Sequence, residues 1–270
     1  MSEEEGNYLS VCRQTPDHRL RSATMGFINL IFDPMQEREL LDAIKVYFKE
    51  KIFDNHKKIA LRDHTKLKSY NINPIIVKYL SKVLEDDFTP QGIAKALFFP
   101  RVLGTSINTS FGTRIQNMFV ELGLANGSLI KGMDIEFDDQ VDGRKKWCQL
   151  KSGPNTINSE DVNPLLKKIS TVANLAKTNG IALNNTDLIV GVLYGDESQL
   201  SQHYKKIDQT HPVVVGKEFW HCVTGFPDFY DKLVSELDNL ILQIDNEDFF
   251  ERGYKALAIE VEASDFFDFK

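Results

Sequence analysis

Residues Lys131 to Asn158 read KGMDIEFDDQVDGRKKWCQLKSGPNTIN, and this stretch decides the reading of the chain. Apolar and polar residues alternate on both sides of Asp142-Gly143, a dipeptide that favours a tight hairpin turn. In a strand, alternate residues share a face. Asp134 and Glu136 therefore point together, as do Trp147, Gln149 and Lys151, while Met133, Ile135, Phe137, Cys148 and Leu150 take the opposite, buried face. Pairing the two strands brings Asp134 beside Gln149, with Lys151 one pleat further on. A carboxylate, an amide oxygen and an ammonium at one spot suit Mg²⁺, which prefers hard oxygen ligands and keeps waters and phosphate oxygens in its shell. A lysine there can orient or deprotonate a water and stabilise charge on a phosphorane-like transition state. The spacing alone equally fits a surface hairpin with solvated Asp and Lys.

Beyond Lys151, Ser152–Asn158 is a turn of mostly small and polar residues, ending on Asn158 and Ser159, either of which can cap a helix. That helix, over about Asp161–Lys177, would offer free N-terminal amides next to the Asp134 site, a ready position for a phosphate. Asn155, Thr156 and Asn158 either touch phosphates or serve the cap. Lys167, Lys168 and Lys177 either line a channel or form a solvated face. Further strands are predicted at Asp187–Tyr194 and Pro212–Val215. Strand, strand, helix, strand, strand is an α/β pattern with a mixed sheet. On the N-terminal side, Phe111, Ile115, Phe119 and Leu122 predict a helix with Gln116 and Glu121 off its apolar face.

The first hundred or so residues read as helices. Leu40, Ile44 and Phe48 form an i, i+4, i+8 stripe over Glu37–Ile52. Asn73-Pro74 and Thr89-Pro90 each pair a cap residue with proline at the first helical position. The helix after Pro74 is expected to bury Ile76, Val77, Leu80, Val83 and Leu84.

Composition sets the outer bounds. The chain has 270 residues, 42% hydrophobic and 26% charged, which excludes wholesale disorder and a disulfide scaffold. The net charge of −7 is carried by residues 231–270, which hold 11 acids and 4 bases, so the remainder is balanced. Within that remainder, residues 45–68 carry a local +5, a candidate arm around a polyanion, together with His56, His64 and Tyr70. Cys12, Cys148 and Cys222 lie far apart with no zinc spacing, and read as free thiols. The N-terminus has no apolar segment of a secretory signal, and no run reaches the roughly 18–20 residues of a membrane span. A cytoplasmic protein with no membrane association is expected. Neither GxGxxG nor a Walker-type loop is present, so no nucleotide cofactor is expected.

The Asp134…Gln149-Leu150-Lys151 pattern resembles the PD-(D/E)XK nuclease motif, with Gln149 in place of the usual second acid. The run QLKSGPNTIN (Gln149–Asn158) resembles one in type II restriction endonucleases. Phe111-Gly112, Ile189–Gly195 (IVGVLYG) and Gly216–Trp220 (GKEFW) resemble the subgroup that cuts interrupted palindromes of GG and CC. The resemblance spans roughly residues 104–225. It implies that Asp134 and Gln149 hold the metal, that Lys151 is the catalytic lysine, and that water attacks the scissile phosphate to leave 5′-phosphate and 3′-hydroxyl ends. Glu136 is a further metal candidate, and the often acidic helix position corresponds to Gln116 or Glu121. Lys217 and Glu218, a donor for guanine and an acceptor for cytosine, are candidates for reading bases.

The expected architecture is a restriction-endonuclease-like α/β core with a mixed β-sheet flanked by helices, over 104–225. A mainly helical region, 1–103, precedes it, and acidic C-terminal helices, 226–270, follow. The expected activity is Mg²⁺-dependent, site-specific cleavage of double-stranded DNA by a homodimer. A structure-specific or repair nuclease of the same fold, and a non-catalytic DNA-binding protein, are the alternatives.

Overall fold

A computed structural model of the protein describes residues 34–128, 132–245, 248–264 and 267, all within one unit, Asp33–Lys270. Cys12, His18 and the acidic N-terminus lie outside the described residues, as does Lys131. Helix α1 (Pro34–Tyr47) continues through a π-helical stretch, Phe48–Asp54, into α2 (Asn55–Asp63). Leu41, Ile44, Phe48 and Ile52 line its buried side. Helix α3 (Pro74–Glu85) starts at Asn73, whose side chain accepts from the amides of Ile75 and Ile76; α4 (Pro90–Pro100) starts at Thr89, which accepts from Gly92. A second π-helical stretch, Arg101–Ser106, leads into α5 (Ile107–Glu121). The Phe111-Gly112 pair lies inside α5.

The sheet follows. Strands β1 (Asn126–Gly127), β2 (Ile135–Asp138) and β3 (Lys145–Lys151) are antiparallel neighbours. Helix α6 (Ser159–Thr178) crosses to β4 (Leu188–Val192), and α7 (Gln202–Asp208) crosses to β5 (Val213–Val215). Strands β3, β4 and β5 are mutually parallel, giving a mixed five-stranded sheet in the order β1-β2-β3-β4-β5. Helices α8 (Lys217–Thr224), α9 (Phe229–Leu242) and α10 (Phe249–Glu262) complete the described chain.

Both sheet faces are covered. On one, Ile135, Phe137, Cys148 and Ile189 pack with Met118 and Phe119 of α5, Phe219 and Trp220 of α8, and Phe229 of α9. On the other, Trp147, Leu188, Val190, Val192, Val213 and Val215 pack with Val162, Leu165, Ile169 and Val172 of α6 and Tyr204 of α7. Each fully buried side chain of this size contributes about 1.5–3 kcal/mol. Gly191 is required by this sandwiching: a Cβ there would lie 2.4 Å from the Phe219 ring and 2.7 Å from Cys148 Sγ. A third cluster joins α2, α3, α4 and α10 through Ala60, Val77, Phe98 and Leu257.

The expected burial on α3 needs correction. Val77 is buried and Leu80 packs against the third cluster, but Ile76, Val83 and Leu84 are exposed. The close approach of α4, where Gly92 meets Ser81, selects the Val77–Ser81 side of the helix. Ile75, Tyr79 and Val83 form an outward apolar stripe, 79, 67 and 61% exposed.

The basic segment is also not a free arm. Lys45 pairs with Glu236 at 2.7 Å and Lys66 with Glu260 at 3.0 Å, while Lys57 donates to the carbonyl of Asp245. His56 and His64 are buried, and the Tyr70 hydroxyl donates to the carbonyl of His64. The acidic C-terminal helices meet these cations because α9 packs on α1 and α10 on α2 and α4.

Candidate active site

The β2–β3 hairpin turns at Gly143, whose φ of +70° is in the left-handed region that favours glycine. Its register pairs Ile135 with Cys148 and Glu136 with Trp147. Behind the turn, Arg144 pairs with Asp187, and buried Lys146 lies between Asp142 and Asp187. This ion cluster pins the hairpin at the end away from Asp134.

At the other end, Asp134 sits at a bend just before β2, its N–H donating to the carbonyl of Cys148 at 3.0 Å. Regular alternation stops here. Met133 joins Trp147 on the α6 side of the sheet, not the face of Ile135 and Phe137 that strict alternation assigns it. The carboxylate turns back along β3, where Oδ2 accepts from the backbone N–H of Leu150 at 2.9 Å and from the Gln149 amide. Burial holds this carboxyl above the usual carboxylate range, opposed by the Leu150 N–H, the Lys168 and Lys151 ammonium groups and the Gln149 hydrogen bond. Lys151, half-buried at the end of β3, lies in register with Val192 of β4.

Asp134, Gln149 and Lys151 are thus brought together, and α5 adds Gln116, which donates to the carbonyl of Asp134 at 3.3 Å. Glu121 stands elsewhere, beside the Tyr47 hydroxyl, which burial and this carboxylate hold above its ordinary value. Glu136 is buried one pleat from Asp134, accepting from Ser128 Oγ at 2.7 Å and pairing with Lys145 at 2.9 Å. Among the described residues, no group of three or more His, Cys, Asp or Glu side chains is placed to hold a metal. Asp134 is the acid of this site, and one carboxylate with substrate phosphate oxygens is a donor set that fits Mg²⁺.

The loop after β3 is organised around Gly153, where a Cβ would lie 2.3 Å from the Tyr194 ring. Thr156 Oγ1 donates to the carbonyl of Gly153 at 2.9 Å and meets the Tyr204 hydroxyl. Asn155 is exposed. Asn158 caps α6, accepting from the amides of Glu160 and Asp161, while Asp161 accepts from the Asn158 N–H. That capping box corrects the expectation of a phosphate at this helix end: two amides are taken, and Glu160 and Asp161 place negative charge in the first turn. Lys217 and Glu218 open α8 at the same end of the parallel strands as Lys151, since Lys151, Val192 and Val215 are in register across them. Lys217 pairs with Asp231 at 2.6 Å. Both residues line a cavity of about 410 Å³ with Gly195, Asp196 and Tyr230.

One contact of the site was not foreseen from the sequence, which left Lys168 as either a channel residue or part of a solvated face. Lys168 of α6 donates to Gln149 Oε1. Its signal was its place in the helix: Leu165, Lys168 and Val172 are spaced i, i+3, i+7, so the lysine interrupts the stripe that faces the sheet.

The matched family now decides the identity. The model of the type II restriction endonuclease EcoO109I family matches residues 39–243, well over half of the chain. The chain belongs to the EcoO109I family of type II restriction endonucleases. No curated protein matches it. Membership of the EcoO109I family makes the chain a nuclease that acts on DNA, and the matched span contains the whole sheet, α6 and every residue assembled around Asp134. Among the described residues, no helix of this EcoO109I-family chain is long and apolar enough to cross a membrane.

Proposed function

We propose that this chain is a Mg²⁺-dependent endonuclease that hydrolyses double-stranded DNA at a palindromic site, of the interrupted GG and CC type, and works as a two-fold homodimer. The observation that carries this reading is the convergence of the Asp134 carboxylate, the Gln149 amide and the Lys151 ammonium where β2 meets β3.

Asp134 would hold the metal, which supplies Lewis-acid polarisation of the scissile phosphate when bound. The chain's own groups do the rest. The Leu150 N–H and the Gln149 amide fix Asp134 Oδ2 and leave Oδ1 as the oxygen for a cation. Lys151 offers three N–H donors to a phosphate oxygen and to the attacking water, countering charge that grows in the transition state. Partial burial of Asp134 strengthens these electrostatic interactions relative to water. Lys217 and Glu218, at the same end of the parallel strands, would follow a duplex lying across it and read guanine and cytosine edges in the major groove, with Lys217 leaving Asp231 to do so. Asn155, exposed in the loop after β3, would supply a phosphate contact.

A palindrome read by one kind of chain calls for a two-fold pair of copies. The stripe of Ile75, Tyr79 and Val83 on α3 is an exposed apolar row that a second copy of the chain would cover.

The test is digestion of a plasmid of known sequence with Mg²⁺ and with EDTA, followed by sequencing of the fragment ends. Discrete fragments sharing one end sequence, absent with EDTA and absent for Lys151→Ala, are expected. Equal nicking by wild type and Lys151→Ala would refute the catalytic assignment. Cutting restricted to branched or nicked substrates would establish a structure-specific nuclease instead.

A further inference from the structure

Lys168 reaches Gln149 from α6, and its chemistry fixes how that amide is turned. A lysine ammonium has three donors and no acceptor, so the Gln149 atom facing it is the oxygen. The other terminal atom is then the NH₂ group, and it faces the Asp134 carboxylate, which accepts. Both neighbours demand the same orientation. Flipping the amide would set NH₂ against an ammonium and oxygen against a carboxylate, two repulsive contacts in place of two charge-assisted hydrogen bonds.

The backbone makes room for this arrangement. Gly132 has φ +126°, and a Cβ there would lie 3.5 Å from Lys168 Cγ, 3.8 Å from Lys168 Cε and 3.2 Å from Val172 Cγ2. The lysine stem therefore runs across a glycine two residues before Asp134. Lys168 also stands within the stripe of α6 that packs on the sheet, so the helix aims it inward while much of the side chain stays in water.

We infer that Lys168 is a positioning residue of the active site: it locks Gln149 as a hydrogen-bond donor to Asp134 rather than as an oxygen ligand for a cation. The inference rests on the reading that Asp134 and Lys151 are the reacting groups. The site then works with one carboxylate, and an amide clamped by a cation stands where a second acid would be. Gln149 and Lys168 act as a unit whose task is to hold Asp134 in place before metal and DNA arrive.

Four variants test this: Lys168→Met, Lys168→Arg, Gln149→Met and the Met/Met double. The first readout needs no metal and no activity. With ¹⁵N-glutamine labelling, the Gln149 side-chain amide signals are assigned by their loss in Gln149→Met. In the metal-free protein, Lys168→Met is expected to move these signals and speed their solvent exchange about tenfold, while Lys168→Arg leaves them near wild type. The second readout is single-turnover cleavage. Lys168→Met is expected to slow it about tenfold without changing metal-free DNA affinity, and to add nothing in the Gln149→Met background, as coupled residues in contact do. Lys168→Arg restores the rate to within about threefold, the scale of a retained charge-assisted bond.

Unmoved amide signals in Lys168→Met, or losses that multiply in the double variant, would overturn the inference. If the Met variant fails to fold, Lys168→Gln takes its place in both readouts. A fully active Lys151→Ala refutes the proposed nuclease site and leaves the amide signals to decide the role of Lys168. An inactive Lys151→Ala beside an unaffected Lys168→Met refutes the positioning role alone.

Discussion

The backbone N–H of Leu150 donates to Asp134 Oδ2 at 2.9 Å, so the residue between Gln149 and Lys151 holds the carboxylate that both neighbours serve. The acid is thereby fixed to β3 itself, and the spacing of the three functional groups is set by one strand rather than by a flexible loop.

Asp134 is ionised at some cost. Because burial raises its folded-state pKa, its favourable contribution to stability is full below the ordinary carboxylate value and is lost as pH rises through the raised value. Asp134→Asn keeps an oxygen for the Leu150 and Gln149 donors and removes the charge. In thermal melts of the metal-free protein at pH 8, this variant is expected to be more stable than wild type, with the difference shrinking as pH falls. Its cleavage rate is expected to drop about 10²–10³-fold. Lower stability of the variant at pH 8 would contradict the burial argument.

The ion cluster at the far end of the hairpin has the opposite sign. The Arg144 hydrogen bond, with the Asn184 N–H and the charges of Arg144 and Lys146, outweighs burial and holds the Asp187 carboxyl below the usual range. A lowered folded-state pKa gives stability that is present above the ordinary carboxylate value and is lost as pH falls through the lowered one. Asp187→Asn is expected to cost about 1–3 kcal/mol in urea unfolding at pH 7. The gap to wild type should narrow towards pH 3; a gap independent of pH would place the effect in packing rather than charge.

Gly153 carries the turn after β3 under Tyr194, with no space for a methyl group. Gly153→Ala is expected to push the half-exposed Tyr194 ring aside, costing about 1 kcal/mol, the low end for overpacking. Because Lys151 is two residues away, cleavage should fall more than the loss of folded protein explains. Chemical denaturation and single-turnover rates, measured together, separate the two effects.

Tyr79 lies at the centre of the exposed stripe on α3. In a homodimer paired through this stripe, Tyr79→Asp would introduce two like charges at the centre of the two-fold contact. Analytical ultracentrifugation is expected to show a dimer for wild type and a monomer for this variant, with the melting temperature unchanged within about 2 °C, as for surface changes. A variant that stays dimeric moves the interface away from α3.

The sheet was legible because its signals are local. Alternation in 145–151, the Asp142-Gly143 turn and the apolar run 188–192 each specify a strand without reference to the rest of the chain. The caps at Asn73 and Thr89 were legible for the same reason, and that of α6 to within one residue, Asn158 or Ser159. Strand β1 has two residues, too short for any period to show. The register placed Asp134 near Gln149, but the bend that sends Met133 to the other face has no pattern of its own. Which side of α3 faces inward depends on where α4 comes close, and that is a tertiary fact. The contact of Lys168 with Gln149 was not legible, because a lysine among other lysines reads as channel lining or solvated face until its helix is laid on the sheet. Glu136 shows the converse: its spacing from Asp134 suited a metal, yet Ser128 and Lys145, distant or across a hairpin, engage it.

The pairing of the C-terminal acids with the N-terminal lysines has a consequence for how tightly any duplex is held. Binding to DNA gains free energy when lysines and arginines displace condensed counterions from phosphates. Lys45 and Lys66 already have carboxylates from Glu236 and Glu260, so a phosphate must compete for them. The slope of log affinity against log salt concentration will therefore count fewer phosphates than the 32 lysines and arginines of the chain would suggest.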